Sequence, residues 1–231
     1  MFGLDGQIAS LSDGTTFAIV IVVAVLLGLR HATDPDHLAA VTATVAGGQQ
    51  YNRTQSARLG LAWGTGHAVT LFVFGLPIVL FAAYLPAPIQ QGAETLVGLM
   101  IIGLAVWLLA RWRRGLFDVH THDDGGYPAR PRSSQQAFGI GLVHGIGGSA
   151  GVGALLLATI DSRLYAVAGL ALLAVFTAVS MTLLTGGLGM TLSNARVRRS
   201  VHRVIPALGV ASLAFGAWYA LGALELVPYY A

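Results

Sequence analysis

The chain has 231 residues, of which 55% are hydrophobic and only 10% charged, with a formal net charge of +3. A soluble domain is about one quarter charged, so this composition excludes a solvated globule and points to an all-α integral membrane protein. Cysteine is absent, which excludes disulfides and thiolate metal sites and leaves nitrogen and oxygen as the only ligands for a bound ion.

Six apolar stretches, near 17–47, 57–84, 93–112, 136–160, 163–190 and 202–228, are long enough or nearly so to cross about 30 Å of hydrocarbon as helix. The connections leave no space for a soluble domain, so residues 1–231 are expected to form a single transmembrane domain. The ten-residue alternating segments of a membrane barrel do not occur. The start, MFGLDGQIASLSDG, lacks the basic residues and small-residue cleavage pattern of a secretory signal, so the first apolar segment is expected to be kept.

The first segment carries an anomaly, GLRHATDPDHLAAV at 28–41. Residues 17–30 make about 21 Å of helix, too short to cross alone, and 36–47 supply the remainder. Pro35 removes an amide and disfavours helix at Asp34, which predicts a break at 31–35 near the middle of the span. A second half-helix then starts with Asp34 as N-cap, Pro35 at the first helical position and Asp36 in the first turn. Irregular backbone at that depth requires protein or an aqueous cavity around it. Ionisable groups there cost several kcal/mol each and mark a pathway or pair with one another. Arg30 is expected to neutralise Asp34 or Asp36, leaving the other carboxylate for a cation; Asp34 is read as a cap or ion-pair partner beside the alternative of a metal ligand.

His31, Asp36 and His37 form H-x4-D-H. In an unbroken helix, residues 31 and 36 would point about 140° apart, whereas the break lets them converge. Imidazole with carboxylate suits Ni²⁺, Co²⁺ or Zn²⁺ better than Mg²⁺ or Ca²⁺, which prefer oxygen shells.

The second segment contains AWGTGHAVTLF, with His67 flanked by Gly64 and Gly66. The Gly60/Gly64 pair there, like Gly147/Gly151 later, permits close helix approach. Thr65 is read as lining a path or bonding back to its own helix. After the third segment, the connection 113–134 holds Asp118, His120, His122, Asp123 and Asp124, either a metal-collecting cluster or a solvated loop. The fourth segment contains GLVHGIGGSAG, where His144 is read as a ligand or a packing residue and Ser149 as another candidate for the path. In the fifth, TGGLGM at 185–190 has neither the lysine nor the helix context of a phosphate loop and is expected to serve packing.

Eleven arginines fall in or beside the first, third and fifth connections: Arg53 and Arg58; Arg111, Arg113, Arg114, Arg130 and Arg132; Arg196, Arg198, Arg199 and Arg203; Arg30 and Arg163 lie elsewhere. The positive-inside rule makes those connections cytoplasmic, placing both termini on the outer side of a multi-pass protein of the cell membrane. The expected partners are therefore the lipid bilayer and a divalent metal ion, and not nucleic acid. No prosthetic group is expected.

Three crossings followed by three of opposite start match an inverted repeat, with half-repeats 15–112 and 136–228 joined by the cytoplasmic loop 113–135. GLRH (28–31) recurs as GLVH (141–144), GHAVTL (66–71) overlays AVSMTL (178–183), and Gly98 to Trp107 matches Gly209 to Trp218. Matches this short also arise by chance in apolar sequence.

RHATDPDHLAAV resembles the signature of the nickel/cobalt transporter (NiCoT) family, and GTGHAVT is similar to that family's second histidine motif on the next helix. The resemblance implies a permease for Ni²⁺ or Co²⁺, with Zn²⁺ a lesser candidate. It also implies that His31, Asp36, His37 and His67 are essential for metal selection and passage. From the residues alone, a second class stays open: an intramembrane zinc hydrolase of the lipid amidase type, using three histidines and an aspartate. A metal exporter and a subunit of a larger uptake complex are further alternatives.

Overall fold

The computed structural model describes residues 4–46, 53–81, 86–114, 133–147, 160 and 162–228. Among these the chain forms seven helices and no strand: α1 (Leu4–His31), α2 (Pro35–Ala46), α3 (Arg53–Phe81), α4 (Ala87–Arg113), α5 (Ser134–His144), α6 (Arg163–Ser193) and α7 (Ala195–Ala223). The expected all-α membrane architecture is present. α3, α4, α6 and the Val204–Ala223 part of α7 are each long and apolar enough to cross a membrane. The first span is a bent pair, Phe17–His31 with Pro35–Val45, turning by 47° at the break.

The break lies where proline predicts it. Thr33 N–H and Asp34 N–H donate to the carbonyls of Arg30 and His31 at 2.8 and 3.1 Å, tightening the last turn of α1. The Asp34 carbonyl then accepts from Leu38 N–H at 3.0 Å and opens α2, with Pro35 at its first position.

The fourth predicted segment, 136–160, lies partly outside the described residues. It is described as far as Gly147 and at Ile160, and its helix stops at His144. Ser133 and Gln136 start α5 with a reciprocal capping box, both bonds 3.2 Å. At the other end, Gly145 and Gly147 sit in a turn, with Gly145 N–H closing on the Gly141 carbonyl at 2.9 Å.

Polarity is distributed inside out relative to a soluble protein. Leu164, Leu183, Phe81, Leu26 and Val210 are exposed, while His31, Asp34, Asp36, His37, His67 and His144 are buried. Lipid solvates the apolar exterior, so the interior alone can satisfy polar groups.

Close helix approach builds that interior. α3 lies between α5 and α6, α1 packs on α6, α4 packs on α7, and α2 touches α4, α6 and α7. A Cβ on Gly28 would sit 2.8 Å from the Leu173 carbonyl of α6, and one on Gly64 would sit 2.8 Å from Ala178 Cα. A Cβ on Gly66 would collide with the Phe138 carbonyl of α5, and one on Gly141 with the Trp63 carbonyl of α3. Gly98 presses on Ala220, and Gly209 on the Leu109 side chain. In the TGGLGM stretch, Thr185 meets Gly60 and Gly186 lies against Ala57, which is a packing role.

These contacts predict unequal responses to alanine. Gly141→Ala forces α5 and α3 apart and is expected to cost about 1–3 kcal/mol. Gly103→Ala, with nothing within 4 Å of the added Cβ, is expected to gain up to about 1 kcal/mol of helix propensity. Thermal unfolding in detergent checks this; a Gly141→Ala midpoint at or above that of wild type would contradict the packing.

Candidate metal centre

The break in the first span aims three side chains inward. His31 closes α1, while Asp36 and His37 occupy the first turn of α2, so the 47° bend turns both helix ends toward the same interior volume. His67 enters from the middle of α3. His144, the last residue of α5, arrives because Gly141 and Gly145 let α5 lie directly on the α3 backbone. Cβ atoms there would strike the Trp63 carbonyl and come within 2.6 Å of the His67 carbonyl.

The four imidazoles form one cluster. Ring centroids are 4.5 Å apart for His31 and His37, 5.0 Å for His31 and His67, 5.0 Å for His37 and His67, and 4.1 Å for His37 and His144. His67 and His144 are 0% exposed, and His37 is 1% exposed, so water cannot solvate these nitrogens from outside the protein.

Polar contacts orient the rings. His37 Nδ1–H donates to Asp36 Oδ1 at 3.1 Å, and His144 Nε2–H donates to Asp36 Oδ2 at 3.0 Å. The Nε2 atoms of His31 and His67 lie 2.9 Å apart, within hydrogen-bond reach. Several nitrogens stay open: His37 Nε2, His67 Nδ1 and His144 Nδ1 are buried without a hydrogen-bond partner. Buried polar atoms are normally paired, so an open, buried imidazole nitrogen suits an electrophile.

Two groups of donors are close enough to grip one ion. One atom from each of His31, His37 and His67 lies within 4.8 Å of the others, as does one from each of Asp36, His37 and His144. Imidazoles with a single carboxylate fit a first-row transition dication and not the all-oxygen shell of Mg²⁺ or Ca²⁺.

The remaining candidates fall outside these groups. Asp34 takes Arg30 at 3.1 Å and lies 3.3 Å from His31 Nδ1, holding the ring from behind. That pairing commits Arg30 to Asp34 and leaves Asp36 to the histidines. Thr65 is exposed and donates to the Leu61 carbonyl of its own helix at 2.7 Å. Ser149 and the Asp118, His120, His122, Asp123 and Asp124 cluster lie outside the described residues.

Trp63 went unrecognised in the sequence. It is buried four residues before His67 on the same face of α3, with its ring centre 6.0 Å from that of His37 and 5.7 Å from that of His144. Its indole closes one side of the cluster with an apolar wall. The spacing in AWGTGH was the available signal, since residues i and i+4 share a helix face.

Residues 17–137, just over half the chain, match the NicO family, described as "High-affinity nickel-transport protein". The chain is also similar to "Urease accessory protein UreH" of Bacillus sp. (strain TB-90), with 26% identity over 215 residues, covering 90% of this chain and 92% of the relative. No solved structure matches. The family match spans α1 to α4 and the start of α5, which includes His31, Asp36, His37 and His67 but stops short of His144.

Removing the carboxylate behind His31 separates orientation from ligation. Asp34→Asn is expected to weaken Ni²⁺ binding about 10- to 100-fold, as loss of partners behind a ligand commonly does. Thr65→Val is expected to leave it unchanged. Calorimetric titration of the purified protein with Ni²⁺ reads both, and equal affinities for Asp34→Asn and wild type would contradict the orienting role.

Proposed function

The chain belongs to the high-affinity nickel-transport family, and on that premise we propose that the buried His/Asp cluster is where the metal ion pauses as it crosses the membrane. The family assignment makes the protein a metal permease and sets aside the zinc hydrolase that its histidines alone also permitted. The observation that carries the site is the convergence of His31, His37 and His67 from three helices to within 4.8 Å.

The chemistry follows from the donor set. Ni²⁺ is the cargo; Co²⁺, with similar ligand preferences, is the second substrate we infer, and Zn²⁺ a weaker one. Three protein ligands leave coordination positions for water, so the ion stays exchangeable, as passage requires. His31, Asp36, His37, His67 and His144 supply the donors. Asp34 orients His31 from behind, and Arg30 balances the Asp34 charge.

Access is expected to alternate by rocking of the two halves, 15–112 and 136–228, about the cluster. The packing supports such halves, because the contacts exchange when they are swapped. α1 meets α6 at Gly28 as α5 meets α3 at Gly141, and Gly98 on Ala220 mirrors Gly209 on Leu109. We place the protein in the cell membrane with both termini outside, on the distribution of arginines.

Two outcomes test this reading. His37→Ala is expected to reduce Ni²⁺ accumulation by cells to background with protein level unchanged; uptake equal to wild type would end it. An imidazole must be neutral to bind metal, so a bound ion competes with protons. Initial Ni²⁺ flux in proteoliposomes is therefore expected to fall as pH drops below about 6. A flat profile from about pH 7.5 to 5 would contradict ligation by histidine.

A further inference from the structure

The cluster holds more donors than one small ion needs, and they are not equivalent. They divide into His31, His37 and His67 on one side and Asp36, His37 and His144 on the other. His37 alone belongs to both. On one edge of the cluster His31 and His67 meet through their Nε2 atoms, 2.9 Å apart. On the other, Asp36 spans His37 Nδ1 and His144 Nε2 with its two oxygens, at 3.1 and 3.0 Å. His37 faces Asp36 with Nδ1, while its Nε2 is buried without a hydrogen-bond partner.

Resting on the proposed transport reading, we propose that the cluster is two overlapping three-ligand positions, His31/His37/His67 and Asp36/His37/His144, which one divalent transition-metal ion occupies in turn with His37 as the shared pivot. A neutral imidazole carries one proton and one in-plane lone pair, so His37 serves one ion at a time. With its Nδ1–H donated to Asp36 it offers Nε2 to the first position. With the proton on Nε2 it offers Nδ1 to the second, and the total number of protons is unchanged. Passage between the two breaks the bonds to His31, His67 and His37 Nε2 and makes bonds to Asp36, His144 and His37 Nδ1; the protons that the His37 and His144 rings donate to Asp36 move to the far nitrogen of the same ring, so both rings stay neutral.

The positions also differ in charge. The first presents three neutral rings, and the second adds the Asp36 carboxylate, whose two oxygens accept from the His37 and His144 rings. Trp63 lies against His37 and His144, walling the carboxylate-containing side with an indole that cannot ligate metal.

The test uses full-length protein in detergent or nanodiscs with Co²⁺ as probe, reading stoichiometry by calorimetry and the shell by visible and X-ray absorption. Wild type is expected to bind one Co²⁺ per chain. His67→Ala and His144→Ala are each expected to bind one Co²⁺ still, with spectra that differ from each other, while both lose transport in proteoliposomes. The doubly substituted His67→Ala/His144→Ala protein is expected to lose binding at those concentrations. His67→Gln and His144→Gln, checked by gel filtration, repeat the comparison if alanine disturbs folding. Two Co²⁺ bound together by wild type, or binding lost equally in both single variants, would overturn the proposal. Wild type that binds no Co²⁺ would instead overturn the transport site on which the proposal rests.

Discussion

The structure depends on three residues, Ala32 to Asp34, that leave the helix in the first span. In hydrocarbon an unpaired amide or carbonyl costs several kcal/mol, so a break of this kind requires protein around it. Here turn bonds to the Arg30 and His31 carbonyls satisfy the amides of Thr33 and Asp34. The Arg30–Asp34 ion pair then neutralises the charge that the break brings in. What the break supplies is direction: two helix ends, one carrying His31 and the other Asp36 and His37, face one small volume.

Glycine supplies the remaining closeness. His67 and His144 reach that volume because α5 rests on the α3 backbone at Gly66, Gly141 and Gly145, and α6 does so at Gly60 and Gly64. Association of helices in lipid gains nothing from burying apolar surface, so packing contact of this sort is what draws the helices together. The glycines that shape the bundle thereby shape the His/Asp cluster, and stability and cluster geometry cannot be altered independently there.

Much of this was legible in the residues. The break at 31–35 follows from proline chemistry and from the shortness of each apolar run flanking it, and the inward H-x4-D-H set follows from the break. His67 was legible from its glycine neighbours. His144 was ambiguous, because one buried histidine in a helix carries no sign of what it faces, and its nearness to Asp36 depends on a contact 108 positions away. The early end of α5 was missed for a different reason: the apolar run continues past His144, and length outweighed the glycines of HGIGG. Trp63 was missed because an aromatic on an apolar helix ordinarily marks lipid or core. The division of the donors around His37 is invisible in sequence, since it depends on ring placement.

The proposed resting place of the ion is the volume into which the interrupted first span gathers these imidazoles and the Asp36 carboxylate. Anomalous diffraction at the nickel edge from crystals of the nickel-loaded protein tests it most directly. A peak bonded to His37 and to partners drawn from His31, His67, Asp36 and His144 is expected. A peak elsewhere, such as the roughly 640 Å³ cavity beside Glu94 and Glu225, with the histidine cluster empty, would contradict it.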